Sequence, residues 1–304
     1  MNRILTYHIT AADAGMSVGE YLQSRGYSRH IIIRLKQTPL GIHIDGRKVL
    51  TSHRLSTGEI LTVQIIEEYS SEKIPPSDLP LSVVYEDDDL IILNKPADMP
   101  VHPSSGNYEN TLANAVAYYY QCQNLPFVFR CMNRLDRDTT GLLILAKNML
   151  SAAILSRQMK ERGISRTYLA LVRGNPEPDS GTINAPIARV PDSVLERCVS
   201  GDGAAAVTHY HVCRQLLSSA LVELHLETGR THQIRVHMKH IGHPLLGDFL
   251  YNPQDTSLPR QALHSHTLQF IHPITGRELL FHAPLPRDMQ EYIRLHEGRA
   301  EPSK

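Results

Sequence analysis

Cysteine is scarce in this chain. Its 304 residues hold four, Cys122, Cys131, Cys198 and Cys213, and no two stand at the C-x-x-C spacing of a zinc ribbon or a thioredoxin-type redox pair. Scattered single thiols in a chain of this length suit a reducing compartment. Net charge is lacking as well: 31 Lys and Arg balance 31 Asp and Glu, and the pI is about 7.3. That balance counts against the uniformly basic kind of nucleic-acid-binding domain. Long hydrophobic runs are also missing. No apolar stretch approaches membrane-spanning length, and the N-terminus has no signal-peptide core. The expectation is a cytoplasmic protein with no membrane partner, monomeric by default.

What is present is ample apolar mass. Hydrophobic residues make up 41% and charged residues 20%, enough for a large core, and the length allows two domains. Local charge departs from the total. From Arg130 to Arg173, nine Lys and Arg face three acids. A phosphate backbone responds to such a local field because screening hides distant charges. A solvated surface would carry the same run.

Residues 1–68 read as a small unit. Ser17 can cap a short helix with Val18, Tyr21 and Leu22 on one face, and Ser28 can cap a second through Ile31, Ile32 and Leu35. Arg29, Arg34 and Lys36 fall on the exposed side of that second helix. Ile42-His43-Ile44 and Lys48-Val49-Leu50 flank Asp45-Gly46, a hairpin-turn signal, and Gly58 to Ile66 reads as a closing strand. This helix-helix-hairpin order resembles the S-four-type RNA-binding domain named after a ribosomal protein; any small α+β module would share its outline.

Residues 69–80 are polar, charged and proline-rich, and read as a linker. From Leu81 the signals are mainly strands. Leu81–Tyr85, Leu90–Leu93, Thr167–Arg173, Ala206–Arg214 and Leu221–Glu227 read as strands, and Thr111–Tyr120 and Ser151–Arg162 as helices. The order fits an α+β domain over 81–298, with a mostly antiparallel mixed sheet flanked by helices and a central cleft. A short tail, 299–304, follows.

Two tempting signals fail on context. Gly201-Asp202-Gly203-Ala204-Ala205-Ala206 fits the dinucleotide fingerprint formally, which would suggest an oxidoreductase. Val207 to Val212 alternates like a strand, whereas the fingerprint should open a helix. His237, His240 and His243 are evenly spaced, yet Gly242 and Pro244 break any shared helical face and no carboxylate or cysteine stands at ligand spacing.

The richest stretch is Asn133-Arg134-Leu135-Asp136-Arg137-Asp138-Thr139-Thr140-Gly141, followed by the apolar run Leu142 to Ala146. Polar groups in a turn that feeds a buried strand are held firmly while facing a cleft. By itself, Asp136 or Asp138 could simply bond turn amides. The stretch resembles the catalytic motif of the RluA/RluD-type RNA pseudouridine synthases. Asn94 to Pro103, with Lys95 and His102, resembles that family's first motif. Arg166 to Gly174 resembles its tyrosine strand, and Glu227 to His237, with Arg230, His232, Gln233 and Arg235, its arginine motif. Gly242 to Asp248 and Leu263-His264-Ser265 follow in order. Asn133 stands where histidine is usual, Thr140 for serine, Asp98 for glycine and Arg166 for a common lysine; the Asn133 change is expected to bear on substrate choice rather than activity.

The resemblance implies an isomerase that needs neither cofactor nor metal and acts on structured RNA, ribosomal or transfer. Asp136 would act at the sugar as nucleophile or base, Arg235 would pair with it, and Tyr168 would lie against the uracil. The target base must leave its stack. Arg134 would fill the gap, or bind phosphate from the rim. Asn133, Arg137, Thr139, Gly141, Arg230, His232, Gln233, Lys95 and His102 are the further expected RNA contacts, with Arg29, Arg34 and Lys36 of the small unit adding phosphate contacts. The other class of function compatible with this chain is a non-catalytic RNA-binding or ribosome-assembly factor; loss of Asp136 or Arg235 would favour it, and both are present.

Overall fold

The computed structural model describes residues 2–104 and 106–297. The expected tail at 299–304 lies outside the described residues, as does residue 298.

The first elements are β1 (Asn2–His8), α1 (Val18–Ser24), α2 (Arg29–Gln37), β2 (Ile42–Ile44), β3 (Arg47–Lys48) and β4 (Ile60–Ile66). Ser17 and Glu20 form a reciprocal capping box at α1, and the Ser28 hydroxyl accepts from Ile31 N–H at α2. Those caps satisfy donors that a helix start leaves open. Both helices bury their apolar faces in a core shared with an antiparallel sheet of order β1-β4-β2-β3. Asp45 and Gly46 have φ of 46° and 75°, as a two-residue hairpin turn requires. The returning strand stops at Lys48, short of the expected Leu50, which is 71% exposed. Strand β1 is absent from the sequence reading because Leu5 is its only buried residue, so its apolar period is faint.

The larger part contains β5 (Val83–Glu86), β6 (Leu90–Lys95), α3 (Leu112–Gln121), β7 (Thr140–Ala146), α4 (Met149–Lys160), β8 (Ser165–Arg173), β9 (Ser180–Asn184), β10 (Ile187–Arg189), β11 (Arg197–Val199), β12 (Val207–Gln215), β13 (Ser219–Leu226), α5 (Gln233–His240), β14 (Leu263–Ile271), β15 (Glu278–His282) and α6 (Arg287–His296). One sheet runs β5-β6-β7-β14-β8-β13-β12-β9, with β15 against β14. Among the described residues only β7 and β14 pair in parallel, so the architecture is the expected mostly antiparallel α+β type. Every residue of β7 is buried. Gly141 in it has φ of 109°, and a Cβ there would sit 2.7 Å from Ser265 N of β14; no side chain fits this crossing. The glycine-rich turn at 201–206 leads into β12, a strand.

The two parts are closely joined. Leu150 and Ile154 of α4 belong to the same core cluster as α1 and α2. Arg3 of β1 donates to both carboxylate oxygens of Asp89, at 2.9 and 2.8 Å, and Asn148, the N-cap of α4, donates to Asp89 as well. Arg130 makes a two-pronged contact with Glu67. The expected linker has no regular structure, but it is strapped down: Ser71 N–H donates to Phe127 O, and the Ser70 and Ser71 hydroxyls accept from Phe127 and Phe129 N–H.

Candidate active site

The loop 133–139 feeding β7, the start of β8, and the N-terminal end of α5 meet at a cleft of about 1290 Å³. Asp136 and Arg235, 99 residues apart in sequence, meet there: Arg235 Nη1 donates to Asp136 Oδ2 at 3.1 Å. The Asp136 side chain keeps 27% of its surface open, whereas that of Arg235 keeps 3%. A buried guanidinium needs further compensation, and Asp248 supplies it. Arg235 Nε and Nη2 donate to the two oxygens of Asp248 at 2.7 and 2.8 Å. Burial works against the charge on Arg235, but the hydrogen bonds and charge of Asp248, with Asp136 behind them, outweigh it and hold its pKa above the ordinary value. Arg235 lies on α5 and stays charged beside Asp136.

Tyr168, on β8, lines the same cleft and is 4% exposed. Burial pushes its phenol above the ordinary pKa, partly offset by Arg166, so the hydroxyl is neutral. His232 precedes α5 in the left-handed region, φ 58°. Its Nε2 lies 3.8 Å from Asp136 Oδ2, and burial lowers its pKa.

Three of the expected RNA contacts are otherwise engaged. Lys95 is 1% exposed, and its ammonium donates to the carbonyls of Pro96, Met99 and Arg137. It ties the 96–99 loop to the Asp136 loop. Asn133 is 3% exposed; its amide donates to Leu142 O and accepts from Ile144 N–H. An amide offers both a donor and an acceptor, as a neutral imidazole does, so asparagine can secure the loop to β7. Gln233 accepts from Thr228 Oγ1 and Arg230 N–H and donates to Val207 O and Thr208 Oγ1. Local sequence cannot tell which polar groups the tertiary fold consumes in this way.

The remaining expected contacts divide. Arg134 is exposed in the cleft lining and makes no ion pair or hydrogen bond among the described residues. His102 lies edge-on to Phe129 in the lining, ring centroids 4.7 Å apart. Thr139 and Arg230 also line the cleft, Thr139 almost wholly buried and Arg230 donating to Ala205 O. Arg137 is outside the lining and pairs with Asp98. Gly141 serves the β7–β14 crossing. Arg29, Arg34 and Lys36 are exposed on α2, away from the cleft lining. Asp248 was not expected; its Gly-Asp sequence at the end of a motif was the only hint.

Charge gathers at this cleft. Among the described residues, its lining holds seven Arg and Lys (134, 160, 166, 189, 197, 230, 235) against Asp136 and Glu227. A neutral chain thus presents a strongly positive concavity to a polyanion.

Residues 89–240 match the family described as RNA pseudouridylate synthase. The chain belongs to that family. It is 40% identical over 279 residues to the uncharacterised RNA pseudouridine synthase YjbO of Bacillus subtilis, covering 92% of this chain and 99% of that one. It is 40% identical to the ribosomal large subunit pseudouridine synthase D of Escherichia coli, covering 80% of this chain and 78% of that one. Among solved structures, human RNA pseudouridylate synthase domain containing 1 aligns with a TM-score of 0.58 at 27% identity, over 76% of this chain and 99% of that one. The enzyme is an RNA pseudouridine synthase, an isomerase of uridine in RNA. Among the described residues, no helix is long and apolar enough to cross a membrane.

Proposed function

We propose that Asp136 is the group that reacts with the sugar of an extruded uridine, with Arg235 holding its charge and Tyr168 flanking the base. The reaction breaks the bond from C1′ to N1, turns the uracil and joins C1′ to C5; the C5 proton is lost and N1 gains one. An ionised carboxylate can serve at C1′ as nucleophile or at C2′ as base. The observation that carries the reading is the 3.1 Å contact between Arg235 Nη1 and a partly open Asp136. Tyr168 suits a wall that limits movement of the detached base, and its neutral hydroxyl can relay the C5 proton by passing on its own proton as it accepts one. Arg134, exposed and unpaired, suits the space the base vacates or a neighbouring phosphate.

The substrate we propose is ribosomal RNA, on the strength of relatives named for the large ribosomal subunit. The small N-terminal unit, residues 1–68, is proposed as an S-four-like RNA-binding domain, supported by its helix-helix-hairpin order and by exposed Arg29, Arg34 and Lys36. Free cysteines fit a cytoplasmic enzyme.

The test is pseudouridine mapping in cells lacking the gene, complemented by wild type or by Asp136→Ala. Wild type should restore specific ribosomal sites. The variant should restore none, with turnover in vitro down by at least about a thousand-fold, while its circular dichroism and RNA affinity stay near wild type. Turnover retained by the variant removes Asp136 from the chemistry, and restored sites confined to transfer RNA remove the ribosomal assignment.

A further inference from the structure

Both close contacts of the Asp136 carboxylate fall on one oxygen. Oδ2 lies 3.1 Å from Arg235 Nη1 and 3.8 Å from His232 Nε2. Oδ1 accepts no hydrogen bond among the described residues. The second contact is fixed from behind. His232 Nδ1 lies 2.9 Å from the Tyr251 hydroxyl, and that hydroxyl accepts from the backbone N–H of Arg197 at 2.9 Å. With Arg197 N–H on its oxygen, the hydroxyl has Nδ1 as the partner for its own proton, and we take it to donate there. The ring proton of the neutral imidazole is then on Nε2, the nitrogen facing Asp136.

The surroundings hold this arrangement. The rings of His232 and Tyr251 meet edge to face at 80°, and Tyr251 also covers the Arg235 guanidinium at 4.9 Å. His232 keeps a left-handed backbone, φ 58°, in a residue with a side chain; such strain persists where the surroundings enforce it and gathers at functional sites. The charged groups facing the ring are Asp136, Arg235, Asp248 and Arg197, and burial keeps the ring on the neutral side of its titration.

We infer that His232 is a positioning residue for the isomerisation: Tyr251 sets its tautomer, and its Nε2–H joins Arg235 in clasping Asp136 Oδ2, so that Oδ1 is the oxygen presented to the sugar. The inference rests on the reading of Asp136 as the reacting group. The 3.8 Å separation exceeds a hydrogen bond and closes in the RNA complex, as contacts of this kind do.

The decisive variant is Tyr251→Phe, which keeps the ring over Arg235 and deletes the proton given to Nδ1. A hydrogen bond donated to the neutral imidazole favours the neutral form, so its loss makes His232 easier to protonate. The neutral ring then divides between its two tautomers, so kcat above neutral pH should fall by about twofold or more with KM unchanged, and recover as pH falls and the protonated ring regains Nε2–H. His232→Ala should lower kcat by about 10- to 100-fold, again with KM unchanged. His232→Asn, which retains an N–H donor, should recover part of that loss. Nitrogen-15 spectra should show the His232 ring as the Nε2–H tautomer in wild type and as a mixture in Tyr251→Phe. An undiminished kcat above neutral pH in Tyr251→Phe, or full kcat in His232→Ala, overturns the inference. If Asp136→Ala is inactive while these variants behave as wild type, this inference alone fails; if Asp136→Ala turns over, the reading beneath it fails.

Discussion

Arg235 and Asp248 are joined by two parallel hydrogen bonds of 2.7 and 2.8 Å, and the Asp248 side chain has no exposed surface. The pair aims the third arm of the guanidinium at Asp136. The Arg235–Asp136 contact therefore depends on a residue that lines no part of the cleft.

Asp248→Asn should strip the buried guanidinium of its main counter-charge. Breaking a buried pair costs about 3–5 kcal/mol, so chemical denaturation should show a loss of that order and activity should collapse. Asp136→Asn, which leaves the inner pair whole, should lose activity with little loss of stability. Equal stability losses in the two variants would contradict this division.

Gly141→Ala should separate β7 from β14. The backbone there has φ of 109° and the new Cβ would meet Ser265 N at 2.7 Å. The strain and the clash together should cost about 3 kcal/mol or more, read as a lowered melting temperature. A variant that melts like wild type would show that the crossing is looser than these distances.

His264, next in register to Thr140 on β14, is 1% exposed, and burial lowers its pKa to about 4 from an ordinary 6.5. The folded state then binds fewer protons than the unfolded chain. The stability His264 contributes is complete above about pH 6.5 and is lost as pH falls toward 4, by about 3 kcal/mol. His264→Gln should flatten that part of the stability profile. A profile as steep as wild type between those limits would assign the acid sensitivity elsewhere.

Truncation before Leu81 should do more than weaken RNA binding. It uncovers Leu150 and Ile154 of α4 and removes the Arg3 contact to Asp89, which Asn148 at the start of the same helix also bonds. The far end of α4 brings Met159 and Lys160 to the cleft. The shortened chain should therefore melt earlier and expose apolar surface to a hydrophobic dye. In the full chain, Ile154→Ala should cost about 2–4 kcal/mol. A truncated chain as stable as the full one would mean that the two parts are merely tethered.

Much of this was legible from the residues in order. Capped helices at Ser17 and Ser28, the Asp45-Gly46 turn and the apolar run after Gly141 are local patterns, and local patterns obey the backbone rules that any stretch of chain obeys. The series of motifs marked Asp136, Tyr168 and Arg235 and implied the family. The order of strands suggested a mostly antiparallel sheet. What sequence could not decide was the use made of each polar side chain. Lys95, Asn133 and Gln233 stand in the same series of motifs as Asp136, yet backbone groups and, for Gln233, threonine hydroxyls engage them, while Asp248 and Tyr251 stand behind Arg235 and His232. The physical reason is that a buried polar group must find its partner wherever the chain happens to cross, and crossings such as β7 against β14 bring together residues more than a hundred positions apart.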